Sequence, residues 1–236
     1  MFKRINAKDM FVSNEGWLQS RFHFSFAQYK NFDNIQFGVL RVLNDDIIRA
    51  NEGFGKHPHN DMEIISYVVQ GELTHQDSMG NKETLQAGEV QYMSAGTGIV
   101  HSEMNHSNKD VRLLQIWILP PKKALTPIYG SYKYKEEQKE NKLLNIVSSK
   151  NGNAEVKIYQ DINIFVSKLD KNRKLTLDIK EGRQIYFVQI EGISKVNRIE
   201  LNHGDAMEIT KEETLNIEAI NNSHFLFIEM ATETNN

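Results

Sequence analysis

Short runs of β-branched and aromatic residues, separated by clusters of turn-forming residues, recur along this chain. In the first half they are Phe22–Phe26, Phe37–Leu43, Glu63–Val69, Val90–Met93 and Arg112–Leu119. Such residues suit a pleated, half-buried surface, and each run predicts a strand. Asp77–Asn81 predicts a hairpin tip and Gln86–Glu89 a tight turn into the next strand. Many short strands punctuated this way predict a sandwich or barrel.

After Pro120 and Pro121 the pattern changes. Residues 132–144 are charged, lack Gly and Pro, and predict a short helix with a solvated face carrying pairs such as Glu136 and Lys139. Strands resume at Val156–Tyr159, Ile162–Val166, Lys174–Ile179 and Ile185–Ile190. A faint repeat is visible: residues 66–72 resemble 185–191, and 85–90 resemble 201–206. The economical reading is an all-β chain of two β-barrel domains, residues 1–122 and 146–236, joined by a linker with a short helix over 123–145. The tail, 232–236, is expected to be disordered.

Two motifs carry chemistry. His57-Pro58-His59 and His101-Ser102-Glu103 are both i, i+2 pairs. On a strand the members of such a pair project to one face, roughly 6.5–7 Å apart along the chain. If the two strands face each other across a barrel, three imidazoles and a carboxylate meet at one point. That donor set suits a borderline divalent transition metal, and four protein ligands on an octahedral ion leave two adjacent positions open. The second copy has neither pair, so it repeats the shell without the site. His75 and Asp77, near the hairpin tip, read as surface polar residues. His23, His106, His203 and His224 read as structural or exposed, Phe22, Phe24 and Phe26 as barrel core, and Phe54 as lining an entrance. Gly96-Thr97-Gly98 is not a phosphate loop, because a strand bearing His101 follows it instead of a helix.

Composition narrows the partners. A net charge of −3 over 236 residues gives no field to attract nucleic acid or an anionic membrane. The absence of cysteine excludes disulfides, a thiol nucleophile and iron–sulfur clusters. There is no signal-like apolar segment and no apolar run of about 18 residues, so a cytoplasmic protein without membrane or direct nucleic-acid partners is expected. Barrels pair most of their own strand edges, which predicts a monomer.

The segments HPHNDMEI from His57, HQDSMGN from His75, QYMSAGTGIVHSE through Glu103, and HFSF from Phe22–Phe26 resemble the pirin family of the cupin superfamily. The resemblance covers most of residues 16–121; the C-terminal half matches more loosely, as a metal-free cupin domain. It implies a bicupin whose metal ligands, by matching position, are His57, His59, His101 and Glu103. Glu63, where many other cupins place a carboxylate ligand, is then assigned to structure. The implied cofactor is one divalent ion, iron(II) first, with manganese, nickel, cobalt, copper or zinc as alternatives. Bacterial pirin-like proteins are associated with quercetin 2,3-dioxygenase activity. The implied reaction is therefore cleavage of the heterocyclic ring of flavonols such as quercetin by O2, releasing CO, with Glu103 as the catalytic proton acceptor. The family's alternative is a redox-sensing regulatory protein that binds metal without turnover.

Overall fold

Strand-forming runs dominate the computed structural model, which describes residues 1–232. Thr232 donates its N–H to Gly182 O at 2.8 Å, while the rest of the tail expected to be disordered lies outside the described residues. The chain forms two compact units, and neither is a contiguous half. Residues 11–134 and 156–160 make one, whereas 1–10, 135–155 and 161–236 make the other. Residues 1–10 thus group with 161 onward, and 156–160 with 11–134.

In the first unit a large antiparallel sheet runs Ile128–Lys133, Glu89–Ser94, Glu63–Gln70, Val111–Ile118, Leu40–Ile48, Leu18–Phe22, Phe11–Asn14. A smaller one runs Gly53–His59, Ile99–Met104, Glu72–Asp77, Lys82–Gln86. Leu18, Ile48, Val68 and Leu113 of the larger sheet pack with Leu73 and Leu85 of the smaller, and Ile64, Met93 and Ile99 form a second cluster. Between them the large sheet carries a polar row, Asn44, Gln115, Ser66 and Gln91, side by side on four successive strands. The strand expected at Phe22–Phe26 ends at Phe22, because a positive φ at Ala27 and the bonds between Ser25 and Asn31 turn the chain into a loop.

The second unit repeats this plan. Phe2–Ile5, Ala206–Thr210, Arg183–Glu191, Ser223–Ala231, Ile162–Leu169 and Leu144–Ser149 follow one another in its large sheet. Its small sheet runs Lys174–Asp178, Thr214–Ala219, Ser194–Val196, Ile199–Leu201. The interior between them is apolar, built on Ile185, Phe187, Met207, Leu215, Phe225 and Phe227. The internal repeat is real but offset: Tyr67 pairs with Val90 as Val188 pairs with Ala206, so the sequence match was two residues out of register.

The helix expected over 132–144 does not form. Residues up to Lys133 are claimed by the strand pairing with Glu89–Ser94, Glu136–Gln138 make a single 3₁₀ turn, and Asn141 takes a positive φ of 55°. That stretch has no apolar stripe to dock a helix, and short helices without one are marginal. No helix among the described residues is long and apolar enough to cross a membrane.

Candidate metal centre

His57, His59 and His101 come together on the small sheet. Their strands do not face each other across the barrel, as the sequence reading supposed, but are hydrogen-bonded neighbours. His101 is paired directly with His57, and Ile99 with His59. Cross-strand partners and i, i+2 neighbours share a face, so the convergence survives the change of geometry. Ring centroids lie 4.4 Å apart for His57 and His101, 4.8 Å for His57 and His59, and 5.0 Å for His59 and His101. A ligand atom from each imidazole lies within 4.8 Å of the others. Gly53 closes this pairing: a Cβ there would sit 2.4 Å from Glu103 O and 2.7 Å from Met104 Cα.

The nitrogens are prepared for a cation. His57 Nδ1 lies 2.7 Å from Gly55 O and donates to it, which leaves Nε2 with the lone pair. His101 Nε2 is buried without a partner. Burial, then the neighbouring imidazoles, push His59 down to about 4 and His101 down to about 3, so both rings are neutral at pH 7.

Behind His101 stands a chain that the sequence reading misplaced. His75 and Asp77 are not surface residues; they are 0% and 8% exposed. His75 Nε2 lies 3.1 Å from Asp77 Oδ2, and His75 Nδ1 lies 3.5 Å from His101 Nδ1. Although burial works against its charge, hydrogen bonds from Asn81 and His75 hold the Asp77 carboxyl below the usual carboxylate range. A carboxylate accepting His75 Nε2–H leaves His75 Nδ1 to accept from His101 Nδ1–H. That order puts the lone pair of His101 on Nε2, the unpartnered atom. Outer partners of this kind fix the tautomer and raise the basicity of a ligating imidazole. The signal was present in the sequence: His75 and Asp77 are themselves an i, i+2 pair.

Glu103 is buried and held by three donors. Ser66 Oγ and Gln91 Nε2 donate to Oε1 at 2.9 and 2.7 Å, and Gln115 Nε2 donates to Oε2 at 2.6 Å. Its carboxylate clusters with His75 and His101, so His101 belongs to both groups of potential ligands. Glu63 is engaged elsewhere, accepting from Tyr92 Oη at 2.6 Å and from the N–H groups of Tyr159 and Gln160 at 2.8 and 3.0 Å. His23 and His224 are buried and His106 and His203 exposed. Burial pushes His23 down to about 4, that of a core imidazole kept neutral.

The three imidazoles and Glu103 line a cavity of about 180 Å³ whose other walls include Phe26, Phe54, Ile64 and Trp117. Phe54 therefore lines the cavity, as does Phe26, which the sequence placed in the core. Asn44, Asp46 and Gln115 line the same space. Asp45, between the first two, turns to the opposite face and takes a two-pronged ion pair from Arg112 at 2.7 and 2.8 Å. Burial raises the Asp46 carboxyl to about 7, against a hydrogen bond from Ser20 and with the charges of Asp45 and Glu103 adding to the rise.

Two repeated sheet pairs, one with an imidazole cluster and one with an apolar filling, define the class as a two-domain cupin. Sequence comparison then identifies the lineage. Residues 5–118 match the Pirin family and residues 145–230 the quercetinase C-terminal cupin domain. The quercetin 2,3-dioxygenase of Escherichia coli K12 is 39% identical over 219 residues, spanning 92% of this chain and 94% of that protein. A pirin-like protein of Caulobacter vibrioides is 37% identical over 93% of this chain and 95% of its own length. The crystal structure of YhhW from Escherichia coli superposes with a TM-score of 0.94 at 36% identity, covering 100% of both chains. The structure of bacterial pirin YhhW in complex with nickel(II) gives 0.93 at 36% identity, covering 99% of this chain and 100% of that one. The chain belongs to the pirin family.

Proposed function

We propose that this protein is a metal-dependent dioxygenase that opens the heterocyclic ring of flavonols such as quercetin with O2 and releases CO. The observation that carries the reading is the meeting of three imidazoles and a buried carboxylate in one aromatic-walled cavity. His57, His59 and His101 would hold a divalent ion with Glu103, iron(II) being the first choice for a dioxygenase and manganese, nickel, cobalt, copper and zinc the alternatives. The unpartnered His101 Nε2 and the tautomers set by Gly55 O and His75 fit that role. When bound, the ion supplies a Lewis acid and a template.

The chain's own residues do the rest. Ser66, Gln91 and Gln115 prevent Glu103 from swinging away. Oε2, with one donor against two on Oε1, has one lone pair left to serve either role, facing the ion or accepting the proton of the flavonol 3-hydroxyl. Phe26, Phe54 and Trp117 offer faces and edges to an aromatic ring and limit the access of water. The name of the Escherichia coli relative and the nickel(II) complex of YhhW support the same reading.

The test is oxygen consumption with quercetin by protein reconstituted separately with iron(II), manganese, nickel, cobalt and copper. A His57→Ala/His59→Ala double variant serves as the control. The expected result is uptake that needs metal, yields ring-opened product, and disappears in the control. Absence of uptake with every metal shown to be bound would overturn the enzyme and leave a binding or redox-sensing site.

A further inference from the structure

Several buried side-chain atoms among the described residues have no hydrogen-bond partner within the protein. Four of them belong to residues lining the one cavity: His101 Nε2, Asn44 Oδ1, Asp46 Oδ1 and Trp117 Nε1. Buried polar atoms are nearly always paired, so several orphans around one cavity indicate a partner that occupies it. A metal on the imidazoles accounts for His101. It leaves Trp117 Nε1, a donor that a ligand oxygen would satisfy, and two acceptors, on Asn44 and Asp46, which sit two apart on the strand Leu40–Ile48 and share its inward face.

Both residues are nine-tenths buried or more, at 4% and 2% exposure. Neither belongs to the imidazole cluster. The cavity they line also has the aromatic walls Phe26, Phe54 and Trp117, so the missing partner combines a flat apolar body with a polar hydrogen. A charged amine would pair with Asp46 but would leave the aromatic walls unused, and an alkyl group would leave both oxygens orphaned. A ring hydroxyl meets both demands, since it donates a hydrogen bond at the edge of an aromatic plane.

We propose that Asn44 and Asp46 form a second polar anchor in the cavity, one that reads a phenolic hydroxyl of an aromatic ligand apart from the oxygen directed at the imidazole cluster. The inference rests on reading the cavity as a substrate pocket, and it names these two residues as determinants of specificity for hydroxylated aromatics. A site built to bind a hydroxyl discriminates strongly against the analogue that lacks it, because its buried polar groups are then left unpaired. Ser20, which bonds the Asp46 carboxyl from the neighbouring strand, would hold that carboxyl in place.

The test compares 4-fluorophenol with 4-fluorotoluene, titrated by ¹⁹F NMR into the protein as isolated and into a chelator-treated sample. The expected result is a preference of about tenfold for the phenol, present in both samples. Asp46→Leu, similar in volume, should erase it and Asp46→Asn should restore part of it; Asn44→Leu gives the second reading if Asp46→Leu fails to fold. Equal binding of the two probes, no binding of the phenol up to its solubility, or a preference that vanishes with the metal would overturn the anchor. Oxygen uptake with quercetin but no phenol preference would sink this inference and leave the dioxygenase standing. A phenol preference retained by a protein that consumes no oxygen would do the reverse.

Discussion

Along the strand Glu63–Gln70 the inward positions are Ile64, Ser66 and Val68, while the corresponding positions of the second unit are Ile185, Phe187 and Gln189. The difference extends across the sheet. The ladder that carries Asn44, Gln115, Ser66 and Gln91 in the first unit carries Phe165, Phe227, Phe187 and Met207 in the second, position for position. On the small sheets His57 faces His101, whereas Leu177 faces Leu215 and Leu175 faces Ile217. One architecture thus accepts either filling. The stacked rings of Phe165, Phe187 and Phe227 form a core that needs no ligand. The polar row forms a cradle: Ser66, Gln91 and Gln115 are buried and find in Glu103 a common acceptor. What differs between the units is the side chains their sheets carry, and the strands beneath them are common to both.

The comparison breaks most readily at Glu103. Glu103→Gln keeps the size of the side chain and removes the proton acceptor, so turnover with quercetin should fall by about 10²–10⁴. Metal content, measured on the same sample, separates loss of the proton acceptor from loss of a ligand; an unchanged rate in a metal-loaded variant would remove Glu103 from proton transfer. In the second unit Phe187→Ala should cost about 3–5 kcal/mol of stability by opening a cavity among three stacked rings. Denaturant titration reads that loss, and the metal affinity of the folded fraction should stay put. A matching loss of metal would show that the second filling is not independent of the first. The smallest effect is expected at Asp77→Asn. This change keeps Oδ1, which accepts from the N–H groups of Met79 and Asn81, but replaces the acceptor facing His75 with a donor. Metal affinity should drop by about 10–100-fold with little change in the unfolding midpoint. Unchanged affinity would reduce the chain behind His101 to packing.

Much of this was legible in the sequence because strand parity is a strong constraint. His57, His59, His101 and Glu103 could be placed on shared faces from spacing alone, and that conclusion did not depend on whether the strands faced each other or lay side by side. Burial was harder to read. His75 and Asp77 follow the same i, i+2 rule, but their proximity to a hairpin tip suggested solvent. Only the pairing of Glu72–Asp77 with Ile99–Met104 on one side and Lys82–Gln86 on the other encloses them. Asn44 and Asp46 were missed because an acidic, polar run between Leu43 and Ile47 looks like an interruption of a strand. It is in fact a strand with its polar residues turned inward and one, Asp45, turned out to Arg112. The helix over 132–144 failed for lack of an apolar face, a test the composition of that segment could have supplied. The repeat was found from similar residues, but its register is set by backbone pairing, which a two-residue slip leaves with the same parity.

The strand Phe2–Ile5 bears on how the protein is made. Lys3 bonds to Glu208, 205 positions further on. At about 5–20 residues per second, the first strand leaves the ribosome roughly 10–40 s before its partner has been synthesised. In that interval it is an unpaired edge open to any strand that reaches it first. The first unit has a shorter delay of its own, because Glu63 finds the N–H groups of Tyr159 and Gln160 only 96 and 97 positions later. Synthesis is sequential, but assembly is not: Phe2–Ile5 is seated only once Ala206–Thr210 has been made.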